Sequence, residues 1–472
     1  MAGDTAAGAS YGGPVAWIYI FNLIVGVGSL NLPSGFAAAG LIQGCIFLGI
    51  MGFLAFITVT WIIEVLAAGN ALLSLEKSGK SEIHPEEETY RRTVIYDDKT
   101  PLIQNTDHET MLGEESRFQI KDRIELGMLA RLFLGDIGQK IYLYGDLSIY
   151  AVIVSNSLTE FIPLGSLTQD EAYYIWLTIF TLCMVPLTFF NFQKTKYLQY
   201  GTLATRNIAL FMMIIFAIVF LCKGEGAPKE SVPWFTPQGT PNMFGVGIYA
   251  FMCHHSLPSL VTPIKNKSRL TLLLAGVFLS IGIVYVTLCS TAVAAFGNTG
   301  IQGLYNNNFR HVNWMSDGLA NVVGGFLALF PVFTLTSNFP LIAITLRNNL
   351  TILFPSMKGS FGKQIQLSLI ATIPPIALSY VCGMRRTDAA KILIAVTGSY
   401  PGLCIMFIIP AALVYAARRR MKSVLPGEKN PHSSPFAHLF FVIAIMVACL
   451  VALGFIIYNQ IQLAQGKSTG GH

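Results

Sequence analysis

Asn22-Leu23-Ile24-Val25-Gly26-Val27-Gly28-Ser29-Leu30-Asn31-Leu32-Pro33 decides how this chain is read. The stretch lies inside an apolar run covering residues 14–39, long enough to cross a bilayer, yet it holds two glycines, two asparagines, a serine and a proline. Glycine permits non-helical backbone and proline removes a backbone donor, so carbonyls and amides are freed near mid-membrane. In lipid such groups are tolerated only where they face protein, ligand or water. A plainer reading also fits these residues: a close-packing glycine face with a proline kink.

Working outward, ten more apolar runs follow: 41–69, 141–164, 172–192, 198–222, 242–264, 270–296, 317–346, 365–383, 390–416 and 436–461. They account for a composition that is 53% hydrophobic and 12% charged, with a mean hydropathy of +0.57. Those values exclude a disordered chain, a soluble enzyme and a nucleic-acid-binding domain, and predict an all-α polytopic membrane protein of eleven transmembrane helices. All eight cysteines lie in or beside apolar runs, so they are read as small buried hydrophobes, with no disulfide framework.

The net charge of +6 suggests an acidic partner until the charges are placed. Twenty-three Lys and Arg fall in the even-numbered connections and seven in the odd-numbered connections and C-terminus, with Arg206 inside a span. This asymmetry places the N-terminus in the cytosol and the C-terminus in a lumen or outside the cell. Residues 1–13 form a short cytosolic N-terminus without the basic start of a signal peptide.

The second connection, residues 70–140, is far longer than the others. Asp98, Leu102 and Ile103 within it form an acidic-dileucine pattern of the kind read by cytosolic sorting adaptors, which favours endosomal or lysosomal membranes over the plasma membrane. Residues 119–134 place Ile120, Ile124, Met128, Leu129, Leu132 and Phe133 on one face, predicting an interfacial helix.

A second interruption, Phe251-Met252-Cys253-His254-His255-Ser256-Leu257-Pro258-Ser259, lies in the sixth run. Breaks in the first and sixth of eleven spans are the pattern of a five-plus-five inverted repeat whose broken helices meet at a midplane site. The repeats then cover 14–222 and 242–416, with 436–461 as an extra helix. Intramembrane ionisable groups are candidates for function: His254 and His255 as proton carriers, and Asp146 near the start of the third span. Glu64 and Arg206, each close to a cytosolic end, either reach the interface or pair with each other. Thr336 and Ser337 in the eighth span offer oxygen ligands to an alkali cation, or simply bond back to their own helix. No Gly-x-Ser-x-Gly elbow, His-Glu-x-x-His helix or metal-ligand spacing is present, so neither an enzyme nor a metal or cofactor site is expected.

Asn22, Gly26, Gly28, Leu30, Leu32 and Pro33, the helix before the third span, His254-His255-Ser256-Leu257-Pro258, Phe339-Pro340 and Gly398 with Pro410 together resemble the amino acid/auxin permease family. Residues 142–147, 193–198 and 255–260 are similar to its transmembrane protein 104 group in particular. The resemblance implies a secondary transporter of amino acids. It implies that Gly26, Val27, Gly28 and Ser29 bind the substrate carboxylate, that Phe251, Cys253, His254 and Ser256 face its side chain, and that Asn22 joins Thr336 and Ser337 at a cation site. The paired histidines depart from the family pattern and raise proton coupling beside sodium coupling. A sensor that binds an amino acid in the same pocket and signals through residues 70–140 is the alternative.

Overall fold

A computed structural model describes residues 10–26, 28–77, 117–124, 126–134, 144–162, 164–165, 167–189, 196–302, 304–309, 317–353, 361–384, 400 and 402–464. Asp98, Leu102, Ile103 and Val27 lie outside these. Among the described residues there is no β-structure beyond a single bridge between Tyr11 and Ile264. The helices in chain order are α1 (Gly13–Ile24), α2 (Gly28–Ala39), α3 (Leu41–Lys77), α4 (Leu126–Leu134), α5 (Tyr144–Phe161), α6 (Gln169–Leu187) and α7 (Lys196–Cys222). They continue with α8 (Thr240–Phe251), α9 (Leu257–Val261), α10 (Leu270–Phe296), α11 (Asp317–Leu353), α12 (Phe361–Met384), α13 (Ile409–Val424) and α14 (Leu439–Ala464).

Six of these helices are long and apolar enough to cross a membrane, and α1 with α2, bent by 58° at their break, form a seventh candidate. Their outer faces are greasy. α14 exposes Ile443, Val447, Leu450 and Ile457 while burying Ile445, Cys449, Ala452 and Ile456, an inward stripe at helical spacing. Apolar residues turned outward suit hydrocarbon, so the chain is a multi-pass integral membrane protein.

The connections sort by parity. The first meets the fifth through backbone bonds: Leu41 N–H to the Pro233 carbonyl at 2.9 Å, Ile42 N–H to Trp234 at 3.0 Å and Thr236 N–H to Ala39 at 2.8 Å. The N-terminal segment meets the sixth, with Tyr11 N–H donating to Pro263 at 3.1 Å, Lys265 N–H to Tyr11 at 3.0 Å and the Tyr11 hydroxyl to the Leu260 carbonyl. The Thr188 carbonyl, at the fourth connection, accepts from Arg347 (2.9 Å) and Ser368 (3.2 Å) beside the eighth. Arg117 in the second pairs with Glu428 in the tenth at 3.2 Å. In each of these pairs even meets even or odd meets odd.

Two expectations need correcting. The helix predicted over 119–134 starts at Leu126. The Asn70 side-chain oxygen accepts the Lys121 and Asp122 amides at 3.0 and 2.7 Å, holding that backbone out of the helix. Its apolar residues also turn toward protein: Leu129 and Ile124 crowd Gly69 of α3. Glu64 and Arg206 do not pair with each other. Glu64 takes both branches of the Arg418 guanidinium at 2.7 Å, and Arg206 is buried inside the bundle.

Candidate functional site

The first interruption falls between Ile24 and Gly28, upstream of Pro33, which sits inside α2. Proline withdraws only the bond to the carbonyl four residues earlier and is tolerated early in a helix, whereas the glycines let the backbone turn. At the break the Gly26 N–H donates to Ile24 O at 2.8 Å and the Ser29 N–H to Gly26 O at 3.1 Å. The Ser29 hydroxyl also donates to Gly26 O, at 2.7 Å. Two of the amides expected to hold a carboxylate are therefore engaged within the break itself.

Gly28 has a different task. A Cβ there would lie 2.8 Å from the Tyr249 carbonyl oxygen and 2.9 Å from the Ala250 Cα, so the start of α2 packs backbone to backbone on the end of α8. The two interrupted helices thus meet at their breaks. Tyr285, buried on α10, spans the junction, its hydroxyl 3.2 Å from Ile24 O and 3.1 Å from Ala250 O. One proton serves two carbonyls, each from the last turn of a helix that stops short. Nothing about Tyr285 stands out in its apolar run except that a buried tyrosine hydroxyl needs a partner, the signal that would have found it.

The second interruption runs from Met252, extended at φ −72° and ψ 106°, to Ser256. The Cys253 carbonyl accepts the Ser256 and Leu257 amides at 3.2 and 3.1 Å. Phe251 is packed among protein groups, stacked on Phe278, edge-on to Tyr285 and against the space left by Gly52 of α3. His254 is fully buried, with Nε2 2.8 Å from the Thr58 hydroxyl of α3. That hydroxyl also lies within hydrogen-bonding reach of the Leu54 and Ala55 carbonyls, while the His254 Nδ1 is buried with no hydrogen-bond partner. His255 and Ser256 are half-buried beside it. Close by, Gly402 faces Ile248 and Met252, just before a π-helical turn at Cys404–Ile408. Pro410 cannot donate back along the helix, and the ladder shifts register before it.

Asn22 sits in the last turns of α1 with both oxygens occupied: Arg206 donates to its carbonyl and Asn207 to its side-chain oxygen at 2.6 Å. Thr336 is half-buried on α11 beside buried Thr334. Ser337 shares that helix, and Asp146 lies in the first turn of α5. Among the described residues no cluster of three or more metal-ligating side chains occurs. Gly26, Gly28, Ser29, Phe251 and His254 are thus gathered around the paired breaks.

A bundle of lipid-facing helices, two of them interrupted and joined at their interruptions, defines a membrane transporter. A family model for transmembrane amino acid transporter proteins matches residues 14–458, and the chain belongs to that family. It is 38% identical to the Transmembrane protein 104 homolog of Dictyostelium discoideum, over 96% of this chain and 98% of that one. It is 36% identical to human Transmembrane protein 104, over 94% and 95%. Among solved structures, that of MhsT in complex with L-phenylalanine shares the fold, with a TM-score of 0.51 and 14% identity over 96% of this chain and 99% of that one. The expected resemblance to the amino acid permeases and the transmembrane protein 104 group holds, and family and fold are those of transporters, not enzymes.

Proposed function

We propose that this chain is a secondary active transporter that moves an amino acid across its membrane by alternating access, driven by a proton or sodium gradient. Eleven spans, the first ten as two inverted repeats of five, form the frame, with the N-terminus cytosolic and the C-terminus lumenal or extracellular. The meeting of connections of like parity supports this layout. The observation that carries the function is the junction of the two breaks, with Gly28 on the Tyr249–Ala250 backbone and the Tyr285 hydroxyl between the Ile24 and Ala250 carbonyls.

The substrate carboxylate binds at the start of α2, where the helix dipole favours an anion and the Gly26 and Ser29 amides exchange their bonds within the break for the carboxylate. Taking the Gly26 amide from Ile24 releases that carbonyl, and the Tyr285 hydroxyl is already within reach of it. Substrate entry thereby shifts the Tyr285 hydrogen bond from the Ala250 carbonyl toward the Ile24 carbonyl, the proton staying on the tyrosine. Phe251, Cys253, His254 and Ser256 contribute the side-chain end of the site. His254, with its unpartnered Nδ1, takes up a coupling proton, and His255 and Asp146 lie on the same route. Asn22, Thr336 and Ser337 are the groups that would serve sodium.

The test is uptake of labelled amino acids into proteoliposomes under an imposed pH or sodium gradient. Gradient-dependent accumulation supports the reading. Saturable binding without accumulation refutes it and leaves an amino-acid sensor. The acidic-dileucine group Asp98, Leu102 and Ile103 recruits a sorting adaptor and directs the protein to endosomes or lysosomes.

A further inference from the structure

Arg206 is 4% exposed, and its guanidinium lies at the first break, donating to the Asn22 carbonyl. The adjacent Asn207 holds the Asn22 side-chain oxygen at 2.6 Å, while the Asn22 amide donates to Ile18 O at 2.8 Å. One turn of α7 thereby grips both oxygens of a residue three positions before the turn at Val25 and Gly26. The Tyr285 and Tyr150 hydroxyls are within electrostatic range of the same guanidinium.

The terminal carbonyls of α1 carry the negative end of its dipole and attract a cation. In transporters built on discontinuous helices, such unwound carbonyls are what coordinate sodium. Here that place is held by a covalently attached cation. Arginine keeps its charge at every physiological pH and suits buried carbonyl and ion contacts better than lysine.

We propose that the Arg206 guanidinium is a built-in cation at the first break, standing where a coupling sodium would bind, so that substrate binding and transport are independent of sodium. This deepens the transporter reading and rests on it for flux, but not for ion binding.

The test uses the full-length protein in detergent and in proteoliposomes. The wild type should melt at the same temperature, and transport at the same rate, in sodium or choline chloride of equal ionic strength. Arg206→Gln should melt lower and transport at least about tenfold more slowly in choline, with partial recovery in sodium or millimolar methylguanidinium. Arg206→Lys should remain sodium-independent. Melting or uptake of the wild type that depends on sodium overturns the proposal, as does an Arg206→Gln protein indistinguishable from the wild type. If the wild type accumulates no amino acid under any gradient, the transporter reading fails while the melting comparison still decides the role of Arg206. If Arg206→Gln does not fold, the sodium response of the wild type and Arg206→Lys decides it.

Discussion

Converting Glu64 to glutamine should release the tenth connection from the side of α3. The Glu64 carboxylate takes two bonds from Arg418 at 2.7 Å and a third from the Ser434 amide at 3.0 Å. Around it Asn430 donates to the Glu64 carbonyl at 3.1 Å, the Thr60 and Ser434 hydroxyls lie 2.7 Å apart, and Trp61 donates to Phe436 O at 3.2 Å. Breaking a buried pair by removing one partner costs roughly 3–5 kcal/mol. The Glu64 side chain is 10% exposed and that of Arg418 22%, so solvent screening brings the figure down to about 3 kcal/mol. At about 1.4 kcal/mol per decade, the undocked state gains about two orders of magnitude in population. Hydrogen–deuterium exchange of peptides covering 430–437 reads that population, and exchange at Ser434 should accelerate on the order of a hundredfold. Replacing Glu64 and Arg418 together by leucine should restore most of the protection, since an apolar pair leaves no buried charge. Exchange in the single variant within about threefold of wild type would refute the reasoning.

Four further outcomes are expected. Tyr285→Phe strips the shared proton from two carbonyls and should cost about 1–3 kcal/mol, seen as a lower melting temperature together with slower uptake; unchanged uptake would remove Tyr285 from the coupling of the breaks. Gly28→Ala must force α2 and α8 apart and should abolish uptake, whereas Gly49→Ala, which meets nothing within 4 Å, should be neutral; equal effects would deny the close approach. His432, in the tenth connection, is held below its usual pKa by burial and then by the Lys267 charge, and burial lowers Lys267 as well. The unfolded chain therefore binds more protons, and the contribution of His432 is complete above its unfolded value near 6.5 and is lost as pH falls toward the lower folded one; melting scans from pH 7.5 to 5.5 should show a decline that His432→Gln blunts. Ala-Ala in place of Leu102-Ile103 should move the protein to the cell surface, and an unaltered distribution by microscopy would discard the motif.

The two breaks were legible because their chemistry is local: glycines, asparagine and a His-His-Ser-Leu-Pro run disturb an apolar pattern within a few residues. The exact hinge was less so, since Pro33 is the loudest breaker in its stretch yet lies inside α2. Partners across the fold were not legible. Arg418 belongs to a run of three arginines that reads as cytosolic charge, and only packing turns it onto Glu64, 354 residues away. Arg206, close to the end of its span, invited an interfacial reading. The fold instead carries it inward to Asn22, 184 residues distant. The interfacial helix had the right periodicity, but Asn70 claims the amides of its first turn, and periodicity is blind to such competition.

The ties between the two interrupted spans have a consequence for inheritance. The segment before α1 and the segment after α9 are joined through Tyr11, Pro263 and Lys265, and the junction of α2 with α3 and the segment before α8 through Ala39, Leu41, Ile42, Pro233, Trp234 and Thr236, all by main-chain hydrogen bonds. A bond between backbone atoms is indifferent to most side chains above it, so ordinary substitutions at Leu41, Trp234 or Thr236 leave these clasps intact, whereas proline at a donating position unfastens one and so does any side chain at Gly40, whose positive φ and close approach to the Trp234 backbone admit only glycine. Sequence drift can thus repaint the site while the two hinged spans stay fastened at both ends, so long as Gly40 and the donating amides are kept.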